Sequence, residues 1–234
     1  MVIPFLDFLK RKKTLTQEIF LRDTEFVILD TELTGLDEKK DSIISIGAIR
    51  MRGGRIVLSD MFYEEARPQS ALKKESITIH GFTPSDLTDK PDIADIAEKF
   101  SSYCSGSVLV GHFIGIDIAF LNRLSGRLNR PHIVNPSIDT FYLIEWLSKR
   151  FKGRRFFSYP INDPRLYEAA RRFDIPIQGA HNSLMDAFIT AQLFQRLMPL
   201  LSEAGINTLT EVIEIQNPSK GGDRFRASIE SMSF

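Results

Sequence analysis

Phe26-Val27-Ile28-Leu29-Asp30-Thr31-Glu32 is the stretch that decides the fold, because it is an apolar run that ends in two carboxylates. An uninterrupted apolar run of this length is typical of a strand that is buried on both faces. Side chains two positions apart in a strand point to the same face, so Asp30 and Glu32 are expected to lie side by side. The sequence therefore predicts a buried strand with a pair of carboxylates at its end.

Further strands and helices are predicted on either side of a long polar segment. Strands at residues 42–50 and 56–62 are joined by a hairpin turn at Gly53-Gly54. Residues 68–91 are predicted to be mostly loop, with a short helix near residues 83–86. Apolar spacing then predicts strands at 107–112 and 133–139, and helices at 92–103, 117–128, 141–151, 164–173 and 183–201, with Pro199 at the end of the last helix. Antiparallel strands followed by alternating strands and helices indicate an α/β fold with a mixed sheet and helices on both faces.

The composition is that of an ordinary globular protein, and it excludes disordered, collagen-like and disulfide-rich chains. The chain has 234 residues, of which 43% are hydrophobic, and its 30 basic residues balance 30 acidic ones. A nucleic-acid contact would therefore have to come from a local patch. The single cysteine, Cys104, excludes an intrachain disulfide and fits a reducing compartment.

The N-terminal segment does not have the pattern of a secretory signal. The apolar residues 1–9 precede a basic run at 10–13, which is the reverse of the order in such a signal, and this favours a short helix that docks or frays over a membrane anchor. We expect a cytoplasmic protein with no membrane partner.

Three acidic motifs are candidates for a site, and each has an ordinary structural explanation. Asp30 and Glu32 alone fit a solvated turn at a strand edge. Asp117, after a strand and a glycine-flanked turn, has the position of a helix cap. His181 precedes the long helix, and Ser183 and Asp186 have the spacing of a capping box.

Taken in order, these motifs resemble a known family of nucleases. Asp30-Thr31-Glu32-Leu33-Thr34-Gly35, then Gly111-His112 ahead of Asp117, then His181 ahead of Asp186, are similar to the DnaQ-like exonucleases in their histidine-containing (DEDDh) branch. The resemblance extends over roughly residues 24–200. It implies an RNase H-like fold and removal of nucleotides from 3′ ends.

The resemblance also implies a role for each motif residue. Asp30, Glu32, Asp117 and Asp186 would hold two Mg²⁺ ions, which Mn²⁺ could replace, and His181 would be the general base. Two closely spaced cations can clamp an in-line displacement at phosphorus, and a histidine can accept the proton of water near neutral pH. Asp139, in a recurrent Asp-Thr pair, is interpreted as a helix cap and not as a metal ligand.

Departures from the family pattern fall among the residues expected to contact substrate. Leu33 replaces the usual threonine, Phe113 an asparagine and Ile116 an aromatic residue, so substrate preference is open while every implied metal ligand is present. His80, in Ile79-His80-Gly81-Phe82-Thr83, resembles a family segment that approaches the 3′ nucleotide. The residues expected to bind substrate are Thr31, Leu33, Thr34, His80 and Phe113.

A basic and aromatic segment is a second candidate contact with nucleic acid. It combines cations with aromatic side chains, as single-strand binding requires, but the aromatics could equally be packed in the core. Its members are Lys149, Arg150, Lys152, Arg154, Arg155, Phe151, Phe156, Phe157 and Tyr159.

The sequence therefore predicts a metal-dependent 3′→5′ exonuclease similar to the proofreading subunits of bacterial DNA polymerase III. Single-stranded DNA is the expected substrate; an exoribonuclease and an inactive structural or regulatory subunit are the alternatives. The expected partners are nucleic acid with a free 3′ end and a DNA polymerase or sliding clamp. Residues 228–234 resemble clamp-binding peptides, although an unstructured end explains them as well. The predicted organisation is an extension at 1–22, an exonuclease domain at 23–202 and a tail at 203–234.

Overall fold

A five-stranded mixed sheet forms the centre of the molecule. The computed structural model describes residues 18–158, 160, 163–177 and 181–216. The strand order is β3-β2-β1-β4-β5; β2 is antiparallel to β1 and β3, whereas β4 is parallel to β1 and β5. This confirms the predicted antiparallel meander followed by parallel strands. The strands are β1 (Glu25–Leu33), β2 (Ile43–Arg52), β3 (Arg55–Glu65), β4 (Val108–Gly111) and β5 (Ser137–Asp139).

Helices cover both faces of the sheet. In the described residues, none of them is long and apolar enough to cross a lipid bilayer. The α-helices are α1 (Lys74–His80), α2 (Pro84–Leu87), α3 (Ile93–Tyr103), α4 (Ile114–Arg127), α5 (Thr140–Arg150), α6 (Leu166–Arg172), α7 (Ser183–Glu203) and α8 (Leu209–Ile215), with 3₁₀ turns at Leu21–Asp23 and Arg155–Phe157.

Strand β1 divides the interior into two apolar clusters. Phe26 and Ile28 point into one cluster, with residues of α5, α6 and α7. Val27 and Leu29 point into the other, with residues of α3 and α4. All four side chains are at most 1% exposed. The uninterrupted apolar run therefore reflects a central strand that is covered on both faces.

Pro199 was wrongly predicted to end the long helix. Helix α7 continues to Glu203 with Pro199 inside it. A proline in a helix leaves the carbonyl four residues earlier without its usual donor. That residue, Gln195, is exposed, as is Pro199, so water can satisfy the carbonyl on the solvent side of the helix.

Two helices were missed in segments that were predicted to be loop or tail. Helix α1 lies within residues 68–91 and ends at Gly81, which adopts a left-handed conformation at φ 75°. Helix α8 begins at a Thr208–Glu211 capping box, and its Leu209 and Val212 are buried in the same cluster as β1.

Both ends of the described chain pack on the central core. Phe20 forms a β-bridge with Thr208, and Leu21 is 4% exposed in the same cluster as Val212. These contacts attach residues 18–23 and 204–216 to the core of the domain predicted at 23–202. The predicted N-terminal helix at 1–9 and the tail peptide at 228–234 lie outside the described residues.

Candidate active site

Three carboxylates converge where β1 ends. Oxygen atoms of Asp30, Glu32 and Asp186 lie within 4.8 Å of one another. Glu32 is 9% exposed and Asp186 6% exposed. Asp30 and Glu32 follow the apolar part of β1 and lie on the face of the sheet that packs against α7. Asp186, in α7, therefore faces them. The solvated-edge explanation of the Asp-x-Glu pair is therefore wrong.

The N-terminus of α7 is held closely against β2, and this contact places Asp186. Gly47 is paired with Asp30 in the sheet, and a Cβ atom at Gly47 would lie 2.1 Å from the Leu184 nitrogen. Ser45 and Ser183 share a hydrogen bond of 2.9 Å. The helix cap is Asn182, whose Oδ1 accepts from the backbone nitrogens of Leu184 and Met185. Asp186 is therefore not part of a capping box, and its carboxylate faces β1.

A fourth carboxylate, Asp117, enters from the first turn of α4. This helix begins at Ile114, after Phe113 in a left-handed conformation at φ 61°. The Thr31 hydroxyl donates to Asp117 Oδ1 at 2.6 Å, which connects Asp117 to β1. The cap position belongs to Phe113, so Asp117 does not serve as the helix cap.

Asp139 caps α5, as predicted. Its Oδ1 accepts from the backbone nitrogens of Phe141 at 3.0 Å and Phe113 at 3.1 Å. One carboxylate oxygen thus fixes the starts of both α4 and α5. Burial raises the pKa of Asp139 to about 7.

Burial and mutual repulsion disfavour the charged forms of the clustered carboxylates. Burial, followed by the charges of Asp117, Glu32 and Asp186, raises the pKa of Asp30 well above its ordinary value. Burial and the charges of Asp186 and Asp117 raise the pKa of Glu32 to about 8. Burial also raises the pKa of Asp117 to about 7 and that of Asp186 to about 6. Among the described residues, no basic side chain lowers the pKa of Asp30 or Glu32 in compensation.

The donor set fits hard divalent cations. Within the described ranges, no lysine or arginine forms an ion pair with Asp30, Glu32, Asp117 or Asp186. Mg²⁺ and Mn²⁺ favour carboxylate oxygens and often bind through few protein ligands together with substrate phosphates. Cations at this site would neutralise the repulsion that raises the pKa values.

His181 lies beside the carboxylates in a strained backbone conformation. Its φ is 62°, a region that residues other than glycine rarely adopt. Its nitrogen donates to the Tyr167 hydroxyl at 2.6 Å, and the two rings meet edge to face with centroids 5.0 Å apart. Partial burial lowers the pKa of the His181 imidazole. The side chain is therefore biased toward the neutral form that a general base requires.

The residues predicted to bind substrate are in differing environments. Leu33 is partly buried against the cluster of α3 and α4, and the Thr34 hydroxyl is bonded to the Ser42 nitrogen and Ser70. Phe113 is 4% exposed, and its ring packs on that of Phe141 with centroids 4.7 Å apart. Their contact with substrate stays a prediction.

His80, a further predicted substrate residue, is close enough to His181 for the two charges to interact. Its Nδ1 accepts from the Phe82 nitrogen at 3.0 Å. Its Nε2 is buried and has no hydrogen-bond partner among the described residues. Burial and then the His181 charge lower the pKa of His80. Substrate binding by His80 also stays a prediction.

Most aromatic side chains of the basic segment that are described pack on the core. Phe157 is 4% exposed, and Phe156 stacks on Phe173 with centroids 4.8 Å apart. Arg155 pairs with Asp174 at 2.6 Å, and Arg154 pairs with Glu203. The core-packing alternative therefore holds for Phe156 and Phe157, while Tyr159 lies outside the described residues.

Sequence reasoning missed three residues that shape this site: Tyr167, Asn182 and Gly47. The Tyr167 hydroxyl lies 2.8 Å from Asp186 Oδ1 and 2.6 Å from Asp186 Oδ2. A tyrosine in a short helix belongs to no motif, so only the folded chain reveals its contact. Asn182 could have been found as a helix cap, because asparagine is a favoured residue there.

Comparison with known proteins gives a family and a fold. The model of the RNase_T exonuclease family matches residues 27–194. This match includes every residue of the acidic cluster and His181.

Several curated relatives of this chain are named as DNA polymerase III proteins. DNA polymerase III subunit epsilon of Aquifex aeolicus is 29% identical over 186 residues, which are 80% of this chain and 86% of that protein. The PolC-type DNA polymerase III of Oceanobacillus iheyensis is 31% identical over 82% of this chain. The chain spans only 13% of the length of that relative and 14% of the PolC-type protein of Bacillus subtilis.

Solved structures share the fold at low sequence identity. E. coli Exonuclease I in complex with a dT13 oligonucleotide has a TM-score of 0.68 at 18% identity, over 78% of this chain and 43% of that chain. Exonuclease X in complex with 5′ overhanging duplex DNA has a TM-score of 0.60 at 22% identity, over 82% of this chain and 99% of that chain. The RNase H-like architecture expected from the sequence is therefore confirmed.

Proposed function

We propose, on the premise that this chain belongs to the RNase_T exonuclease family, that it is a divalent-metal-dependent 3′→5′ exonuclease. It would release 5′-mononucleotides from the 3′ end of single-stranded DNA. The observation that carries this proposal is the convergence of Asp30, Glu32 and Asp186 within 4.8 Å, with Asp117 close enough to raise the pKa of Asp30 and Glu32.

The carboxylates would hold the cations and leave room for phosphate. Asp30, Glu32 and Asp186 supply the converging oxygens, and Asp117 adds its charge from the α4 side. Two divalent cations, when bound, would offset the charge of the scissile phosphate and make water a stronger nucleophile. Thr31 would hold Asp117 in place, because its hydroxyl donates to Oδ1 at 2.6 Å.

His181 would accept the proton of the attacking water. It directly precedes the cap residue of α7, and the first turn of that helix carries Asp186. The same short segment of chain therefore positions both His181 and Asp186. Its lowered pKa keeps the imidazole neutral near pH 7, as a base must be.

DNA is proposed as the substrate because of the relatives. The curated relatives reported above are named as DNA polymerase III proteins. The similar crystal structure of E. coli Exonuclease I is of a complex with a dT13 oligonucleotide. A polymerase or a sliding clamp is the corresponding partner. An exoribonuclease is the alternative substrate class, and an inactive subunit is the alternative in which the carboxylates hold no catalytic cations.

The test is digestion of matched DNA and RNA oligonucleotides that carry a label at the 5′ end, in the presence of Mg²⁺. A 3′→5′ exonuclease produces a ladder that shortens one nucleotide at a time while the label is retained. Immediate release of labelled mononucleotide would contradict the proposed direction. Digestion of RNA alone would replace the DNA proposal with the exoribonuclease alternative.

A further inference from the structure

Tyr167 connects two residues that act in different ways in the proposed reaction. Its hydroxyl oxygen accepts the His181 backbone N–H at 2.6 Å. The same hydroxyl lies 2.6 Å from Asp186 Oδ2 and 2.8 Å from Oδ1, so it can donate to that carboxylate. One phenol thus bridges the main chain of the proposed base and a proposed metal ligand.

The His181 backbone needs an external contact to keep its conformation. A left-handed φ of 62° is unfavourable for a residue that has a Cβ atom. Such strain persists only where the surroundings determine the conformation. The hydrogen bond to Tyr167 and the edge-to-face ring contact at 5.0 Å are interactions of this kind.

Tyr167 itself is anchored independently of His181. It lies in α6, and its ring packs against the apolar cluster of β1 and α7. The hydroxyl is therefore presented from a fixed helix rather than from the loop that it holds.

We propose that Tyr167 is a positioning residue that fixes the His181 main chain relative to the Asp186 carboxylate. This inference rests on the proposed role of His181 as general base. Tyr167 takes no proton in the reaction and acts through His181. Groups that orient catalytic residues in this way typically change activity by about 10–100-fold when they are removed.

The test uses Tyr167→Phe, which keeps the ring and removes only the hydroxyl. At saturating Mg²⁺, kcat on a single-stranded oligonucleotide should fall by about 10–100-fold with KM changed by no more than about twofold. The same substitution in a His181→Ala background should lower kcat by no more than about twofold. An equal loss of kcat in both backgrounds would overturn the proposal.

A second measurement does not depend on activity. Hydrogen exchange of the His181 backbone amide, followed by NMR, should be at least about fivefold faster in Tyr167→Phe because the amide loses its 2.6 Å hydrogen bond to the Tyr167 hydroxyl. An unchanged exchange rate would overturn the proposal. If the wild-type chain degrades no nucleic acid, the proposed function fails, and the exchange rate alone decides the role of Tyr167.

The matched control is Tyr103→Phe. The Tyr103 hydroxyl, like that of Tyr167, is hydrogen-bonded inside the fold: it donates to the Asp60 carbonyl at 2.8 Å, between α3 and the edge strand β3 and away from the carboxylates. This substitution should leave both kcat and the exchange of the His181 amide unchanged. A loss of kcat equal to that of Tyr167→Phe would show a general effect of removing a tyrosine hydroxyl and would overturn the specific role.

Discussion

The carboxylates at the end of β1 do not stabilise the metal-free fold, because their negative charges are buried close to one another. Glu32 is 9% exposed, and burial together with neighbouring charges raises its pKa to about 8. Each ionised carboxylate therefore destabilises the metal-free fold near neutral pH. The proposed cations would offset this cost, which supports a functional rather than a structural role for these residues.

His181→Ala should separate base catalysis from metal binding. Removal of a general base typically lowers the rate by about 10²–10⁴-fold, while the carboxylates remain to bind Mg²⁺. In the wild type, kcat should rise with pH through the lowered pKa of His181 and then level off, because the base must be neutral. The measurement is kcat against pH for both proteins at saturating Mg²⁺. A variant that keeps the same rising limb would show that another group accepts the proton.

At the scale of elements, the site depends on how closely α7 approaches β2. A Cβ atom at Gly47 would lie 2.1 Å from the Leu184 nitrogen and 2.2 Å from the Ser183 carbonyl carbon. Backbone atoms cannot rotate away as a side chain can. The absence of a side chain at Gly47 thus sets the distance between Asp186 and β1.

Gly47→Ala should therefore both destabilise the fold and impair the site. The extra methyl group forces α7 outward, which typically costs about 1–3 kcal/mol of unfolding free energy, and it moves Asp186 away from Asp30. Denaturant unfolding and nuclease assays measure the two effects. The matched control is Gly54→Ala, since nothing lies within 4 Å of a Cβ atom at Gly54. If Gly47→Ala were as stable and active as Gly54→Ala, the close approach of α7 would be unimportant.

The sequence predicted the elements that carry strong periodicity and missed those that tertiary contacts decide. The β1 run and the long helix α7 have unambiguous patterns, and both were predicted. Helix α1 contains Ile77-Thr78-Ile79, and β-branched residues of this kind do not favour a helix. Helix α8 has seven residues and is stabilised by burial of Leu209 and Val212, which the sequence does not show.

The sequence indicated which residues belong to the candidate site but not how they are arranged. Spacing and resemblance selected Asp30, Glu32, Asp117, His181 and Asp186. The bridge through Tyr167 and the contact at Gly47 join residues that are distant in the chain, so no local pattern could reveal them. Asn182, rather than Ser183, is the cap of α7: its side chain accepts from the Leu184 and Met185 nitrogens, whereas the Ser183 hydroxyl is bonded to Ser45 of β2.

At the scale of the whole molecule, the carboxylates should make stability depend on pH and on Mg²⁺. The folded pKa values are raised above ordinary values of about 4, to about 6 for Asp186, 7 for Asp117 and 8 for Glu32. The contribution of such groups is fully present below the unfolded pKa and is lost as pH rises through the folded pKa. In EDTA, the melting temperature should therefore fall from about pH 5 to pH 8. Mg²⁺ should reduce this decrease, because a ligand that binds the folded state stabilises it.

Asp30→Asn is the matched variant for this pH series. The amide removes a buried negative charge, so the variant should melt at a higher temperature than the wild type at pH 8 in EDTA and gain less from Mg²⁺. Thermal unfolding in both buffers measures this. A wild type whose melting temperature is independent of pH and Mg²⁺ would contradict the electrostatic description of the site.

The most direct test of the central claim is the Mg²⁺ dependence of oligonucleotide hydrolysis by the wild type and Asp186→Asn. Single-stranded DNA with a 5′ label is incubated with each protein in excess EDTA and then with added Mg²⁺. The wild type should be inactive in EDTA, should recover stepwise 3′→5′ shortening when Mg²⁺ is restored, and should release 5′-mononucleotides. Asp186→Asn should lose most of this activity while its circular dichroism spectrum stays that of the wild type. Hydrolysis that continues undiminished in EDTA, or near-normal turnover by a folded Asp186→Asn, would contradict the claim that these carboxylates hold the catalytic cations.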